Sequence, residues 1–200
     1  MKANVRSLAK LAPLLALPLA ACISFGGGKP PPSLLTLSPA AAVPVGETRS
    51  TASAATITIG VPVVPQELSA PRVPVHQGGT AVAYVKDAVW VEPPSRLFAR
   101  LLVDTVSVRT GRVVLSSRQS QIDPGAQLTG ELRMFGVDAD RGEAVVVYDA
   151  VLMRGNSGVF EKRRFEARVP VSPIEALPVG AALNQAANQV AAEVADWVGK

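Results

Sequence analysis

In 200 residues the chain offers one thiol, Cys22, and one imidazole, His76. Zinc centres and most nucleophile–base pairs need several groups of His or Cys type brought together. With His76 alone in the stretch PVHQGG, read here as a Pro/Gly-flanked loop, neither assembly can be built. No G-x-S-x-G elbow, H-E-x-x-H helix or G-x-G-x-x-G fingerprint occurs. Gly26-Gly27-Gly28-Lys29 is not a phosphate loop, because Pro30 stands where a hydroxyl residue is needed. Asp138 and Asp140 lack the further oxygen ligands and the distal Glu of a calcium loop, so they read as hairpin-turn residues. The expectation is a protein that is not an enzyme and holds no metal or cofactor. Two features remain. Lys162-Arg163-Arg164 is either a patch for anionic headgroups or a solvated strand face, and the neighbouring Glu161 and Glu166 favour the solvated face. Trp90 and Trp197 are large anchors in an aromatic-poor chain, for a core or for an interface, and the core is the expected role for both.

The position of the thiol gives it work that folding does not require. Lys2, Arg6 and Lys10 form a basic start, residues 11–19 (LAPLLALPL) are apolar, and Ala20 and Ala21 are small. Spanning a bilayer takes about 20 apolar residues, so residues 1–21 read as a processed export signal, cut between Ala21 and Cys22. Leu19-Ala20-Ala21-Cys22 resembles the lipobox of bacterial lipoproteins. That resemblance implies a diacylglyceryl thioether on Cys22, cleavage before it, and acylation of the new amine by a fatty acid such as palmitate. With no second cysteine, an intramolecular disulfide is excluded. Loss of the leader also removes three cations, leaving 17 basic against 16 acidic side chains. Near-neutral charge gives no electrostatic case for a nucleic-acid partner.

The elements beyond Cys22 follow from pattern. Residues 22–32 carry the lipid site and a Gly/Pro tether (ISFGGGKPPP), and residues 33–200 read as one domain. Residues 33–38 are a short strand candidate, 39–54 a Pro/Ala-rich loop with little order, and 55–64 an alternating strand. Residues 80–85 and 87–91 suggest a hairpin turning near Lys86-Asp87. Pro93-Pro94-Ser95 opens a helix whose Leu97, Phe98, Leu101, Leu102 and Thr105 share a face, and Gly111 closes it. After a strand over 112–117, residues 128–137, 144–153 and 159–169 form a meander with turns at 138–142 and 155–158. In the first of these strands Leu128, Leu132 and Met134 are expected on one face. A final helix ends at Val198, with Leu183, Ala186, Ala187, Val190, Val194 and Trp197 on one face and Asn184, Gln185 and Asn188 elsewhere. Two helices on a mostly antiparallel sheet make an α+β two-layer sandwich.

The order of lipobox, tether, Leu-x-Leu strand, Ile-x-Ile strand, Trp90-Val91-Glu92-Pro93-Pro94 before a Leu-rich helix, and an Ala-rich last helix carrying Trp197 resembles the ABC-type transport auxiliary lipoprotein family. The resemblance implies a lipid-anchored periplasmic partner of an ABC permease and ATPase with an MCE-type substrate-binding protein. Such a system moves lipids or apolar solutes between inner and outer membranes, and the lipoprotein docks its periplasmic part. Ile23, where inner-membrane retention would want Asp, implies the outer membrane. Trp90, Glu92 and Trp197 are the residues that the resemblance singles out. A homo-oligomer stays open, as does a rival role as a periplasmic lipid-binding or chaperone-like carrier.

Overall fold

The first helix, α1 (Pro94–Thr110), begins and ends where proline and glycine place its boundaries. Pro94 occupies the first turn, where a missing N–H costs nothing. Gly111 ends it at φ 68°, a left-handed cap that glycine adopts freely, with its N–H bonded to the Ser107 carbonyl. In the computed structural model, which describes residues 33–122, 125–155 and 158–200, two helices cover one face of a seven-stranded mixed sheet. The fold is α+β, as the pattern predicts. The signal, Cys22 and the tether lie outside the described residues, as do positions 156 and 157 of the second meander turn.

The strands are β1 (Thr56–Ile59), β2 (Arg72–Gln77), β3 (Ala81–Val89), β4 (Val113–Leu115), β5 (Ala126–Asp138), β6 (Glu143–Met153) and β7 (Phe160–Pro170). The expected meander is present as antiparallel β5–β6 and β6–β7 ladders. Three pairings that local pattern does not announce are parallel: β1 with β4, β1 with β5, and β2 with β5. β5 is long enough to hold two partners on one edge, β1 beside Ala126–Leu128 and β2 beside Val137 and Asp138. Glycines permit these close approaches. A Cβ on Gly136 would collide with the Pro74 carbonyl, and one on Gly125 with Thr56.

Several local expectations are corrected. The 72–89 hairpin turns at Gly78-Gly79, both at positive φ, and not at Lys86-Asp87. Asp87, at φ 58°, belongs to an irregularity in which β3 carries extra residues opposite Arg72–Pro74. His76 therefore lies on β2 rather than in a loop. Met134 leaves the core face, because a bulge between Leu132 and Met134 shifts the alternation and sends Phe135 and Val137 inward. Residues 33–38 form only a parallel bridge, Leu35 with Trp90.

The second helix, α2 (Ala176–Val198), buries Leu183, Ala186, Ala187, Val190, Val194 and Trp197, the predicted face. Arg109 near the end of α1 makes a bidentate pair with Asp196 near the end of α2, at 2.7 and 2.9 Å, so the two C-termini lie together. The Arg154 guanidinium donates to the Trp197 and Val198 carbonyls at 3.1 and 3.2 Å, satisfying groups the helix end leaves open. Residues 33–54, of which 39–54 are expected from composition to have little order, cross the helix layer as a strap. Asn184 and Asn188, one turn apart on α2, accept the Ser38 and Ala40 N–H groups at 2.8 and 2.7 Å. Asn188 also donates to the Ser38 carbonyl at 3.0 Å, and Arg49 reaches the Ser107 hydroxyl of α1 at 2.9 Å.

Candidate functional site

The helices leave the other sheet face open, and there the chain builds a half-open groove of about 710 Å³. One wall is the continuation of β1 along β5. The Gly60 and Val63 N–H groups donate to the Leu128 and Gly130 carbonyls at 2.9 and 3.0 Å, and Leu132 N–H donates to the Val63 carbonyl at 2.9 Å. This pins the backbone while Val61 and Val63 stand 59% and 70% exposed. The floor is Gly130, Ala150 and Val151. Gly130 is required there, since a Cβ would strike the Asp149 carbonyl and approach the Tyr148 ring to 2.8 Å. The Tyr148 phenol beneath is pushed up by burial and donates to the Thr129 carbonyl at 3.0 Å.

The opposite wall comes from the basic run of β7. Arg164 grips Asp149 bidentately at 2.6 and 2.7 Å. Arg133 lies 3.3 Å from Glu131 and 3.8 Å from Asp149. The acids at the groove are thus engaged by Arg133 and Arg164. Lys162 and Arg163 have no carboxylate at ion-pair distance among the described residues, and Arg163 instead lies 4.9 Å over the Phe165 ring. Reading the run as a solvated face saw the alternation of β7. It missed the valines that a distant segment sets opposite.

The Arg164 hydrogen bond holds the Asp149 carboxyl below its ordinary range, with further help from the Arg133 and Lys162 charges. A carboxyl depressed in the folded state stabilises the fold above its unfolded value, near 3.9, and loses that contribution as pH falls through the folded one. Asp149→Asn should therefore narrow the gap to wild type as melts are taken from pH 5 down to pH 2. A gap that widens on acidification would contradict this.

The residues singled out by sequence are scattered. Cys22 and Ala21 lie outside the described residues. Trp90 is 1% exposed, its ring 5.4 Å from that of Phe135. Glu92 makes an ion pair with Arg100, two turns into α1. Trp197 packs on Phe165 at 5.6 Å, at the opposite end of the helix layer from Trp90. His76 Nε2 meets Glu67 at 3.1 Å. Asp140 accepts the Gly78 N–H at 2.9 Å and Asp138 the Arg141 N–H at 3.2 Å, so both aspartates brace turns. Among the described residues, no group of three or more His, Cys, Asp or Glu side chains comes together in a way that could hold a metal ion. Nor is any described helix long and apolar enough to cross a membrane.

The family model for the ABC-type transport auxiliary lipoprotein component matches residues 35–195. No curated protein matches the chain. Among solved structures, a Xanthomonas campestris protein of the DUF330 family model aligns with TM-score 0.63 and 19% identity, over 83% of this chain and 93% of its own. A crystal structure of an uncharacterized protein aligns with TM-score 0.61 and 20% identity, over 72% of this chain and 92% of its own. At these identities the two structures speak for the fold.

Proposed function

The chain belongs to the family of ABC-type transport auxiliary lipoprotein components, and from that premise we propose that it is a lipid-tethered docking module without catalysis of its own. Acyl chains on Cys22 hold it at the periplasmic face of the outer membrane. Its folded domain receives the periplasmic part of a transporter made of permease, ATPase and MCE-type substrate-binding protein, which moves lipids or apolar solutes between the membranes. The observation that carries the reading is the family match, which runs from Leu35, at the start of the strap, almost to the end of α2. The groove favours docking over the rival carrier role. A carrier must hide an acyl chain from water, whereas this groove is open along one side and floored by only a few small apolar groups.

Affinity purification of the full-length protein from solubilised membranes tests the proposal. Permease, ATPase and substrate-binding protein should co-purify. Stoichiometric bound lipid with none of those subunits would replace docking by the carrier role.

A further inference from the structure

Exposed apolar side chains gather at one corner of the domain. Leu34, Val91, Ile174 and Leu177 are between 39% and 66% exposed. Leu35, the neighbour of Leu34, bridges Trp90, and the Val91 N–H donates to the Leu35 carbonyl at 2.9 Å. The strap then runs alongside α2, with Leu35 against Gly180, Ser38 at Asn184 and Ala40 at Asn188. Followed backward, that register brings Leu34 to the first turn of α2, which carries Leu177, and Ile174 comes just before it. A lone exposed apolar side chain is ordinary, but several around one corner mark a surface made for contact.

The chain that leads away from this corner points to what covers it. Only residues 23–32 separate Cys22 from Ser33. A chain spans at most about 3.6 Å per residue, so lipid on Cys22 keeps the corner within about 40 Å of the bilayer. Tethering makes contact between corner and bilayer intramolecular, which populates an apolar contact too weak to hold a free protein. The rim suits a headgroup layer. Glu175 directly follows Ile174, Arg96 lies on the first turn of α1, and both are exposed. Both helices begin here, so the positive ends of their dipoles face the phosphates.

We infer that this corner rests on the lipid surface that holds Cys22, with Leu34, Val91, Ile174 and Leu177 at the boundary of headgroups and acyl chains. This rests on the tethering reading and gives it an orientation. The acyl chains hold the protein, and the corner sets how it stands. With the starts of α1 and α2 at the lipid, their C-terminal ends, joined by Arg109 and Asp196, face the periplasm.

The full-length lipidated protein in vesicles of phosphatidylethanolamine and phosphatidylglycerol tests this, with a polarity-sensitive thiol dye placed through Leu177→Cys or Glu193→Cys. Both positions are exposed, and unchanged melts will show that the variants fold. Glu193 lies about 24 Å further along α2, at 1.5 Å per residue. Dye at 177 should emit to the blue of dye at 193 and lose intensity when the vesicles carry lipid with a nitroxide near the headgroup. Dye at 193 should not respond. Adding Val91→Asp and Ile174→Asp should give the 177 dye the spectrum seen at 193 while the protein stays on the vesicles. Equal spectra at the two positions, or quenching at 177 that survives the two aspartates, would overturn the inference and leave tethering intact. A blue shift that grows with protein density but ignores the nitroxide lipid would assign the corner to a second copy and overturn it too. Wild-type protein that washes off the vesicles, or a Cys22 that takes up the dye, sinks tethering itself.

Discussion

Trp90→Ala should cost the domain about 3–5 kcal/mol, the range for removing a large aromatic from a packed interior. For a domain of this size that corresponds to a fall in Tm of about 6–20 °C. Trp90 directly follows β3, just before the prolines that open α1, and it joins three parts of the fold. Its N–H donates to the Pro71 carbonyl at 2.9 Å, its ring meets Phe135 of β5 at 5.4 Å, and its backbone bridges Leu35 at the start of the strap. Leu35 in turn rests against Gly180 of α2, where a Cβ would come within 2.7 Å of its side chain. Deleting the indole opens a cavity at the point where sheet, both helices and strap converge. Trp90→Phe should be far milder, under about 1.5 kcal/mol. The indole Nε1 is buried with no partner among the described residues, and losing an unsatisfied donor offsets part of the lost volume. Thermal melts of the two variants decide the matter. A Trp90→Ala protein that melts like wild type but no longer brings down the transporter would make this residue an interface anchor instead.

Cys22→Ser should move the protein from almost wholly membrane-bound to almost wholly soluble or uncleaved. The proposed chemistry is all-or-none at this position, because a serine hydroxyl cannot form the thioether proposed for Cys22 at the end of Leu19-Ala20-Ala21-Cys22. Each buried methylene adds about 0.8 kcal/mol, and a single chain holds a protein only marginally, so lasting retention needs the several chains of a fully modified cysteine. No described helix could substitute as an anchor. Carbonate-washed membrane fractions and mass spectrometry of the mature N-terminus provide the measurement. An unmodified Cys22 in the wild type, or a serine variant that stays with washed membranes, would end the tethering proposal.

The helices were legible because their signal is local. Leu97, Phe98, Leu101 and Leu102 recur at helical spacing whatever they pack on, and Gly111 stops the helix through its own backbone freedom. The long ladders of β5, β6 and β7 were legible for the same reason, since alternation and short turns are properties of neighbouring residues. Even there one local rule was overridden. The bulge after Leu132 exchanges Met134 for Phe135 on the core face, since Phe135 is drawn in to meet Trp90 and Phe98.

What the amino-acid sequence determined by itself is the two helices, the meander and hence the α+β class. Tertiary structure alone decided which distant segments lie side by side. The parallel seating of β1 and β2 on one edge of β5 depends on close approaches at Gly125 and Gly136, whose contacts lie far away in the chain. The Asn184–Asn188 grip on the strap joins residues almost 150 positions apart. The groove has the same origin. Two valines after a glycine and a basic run a hundred residues later are each unremarkable, and only the order of strands in the sheet makes them opposite walls of one site. Periodicity reports how a segment exposes its own faces, but the pairing of segments is settled by packing between them, which no local window contains.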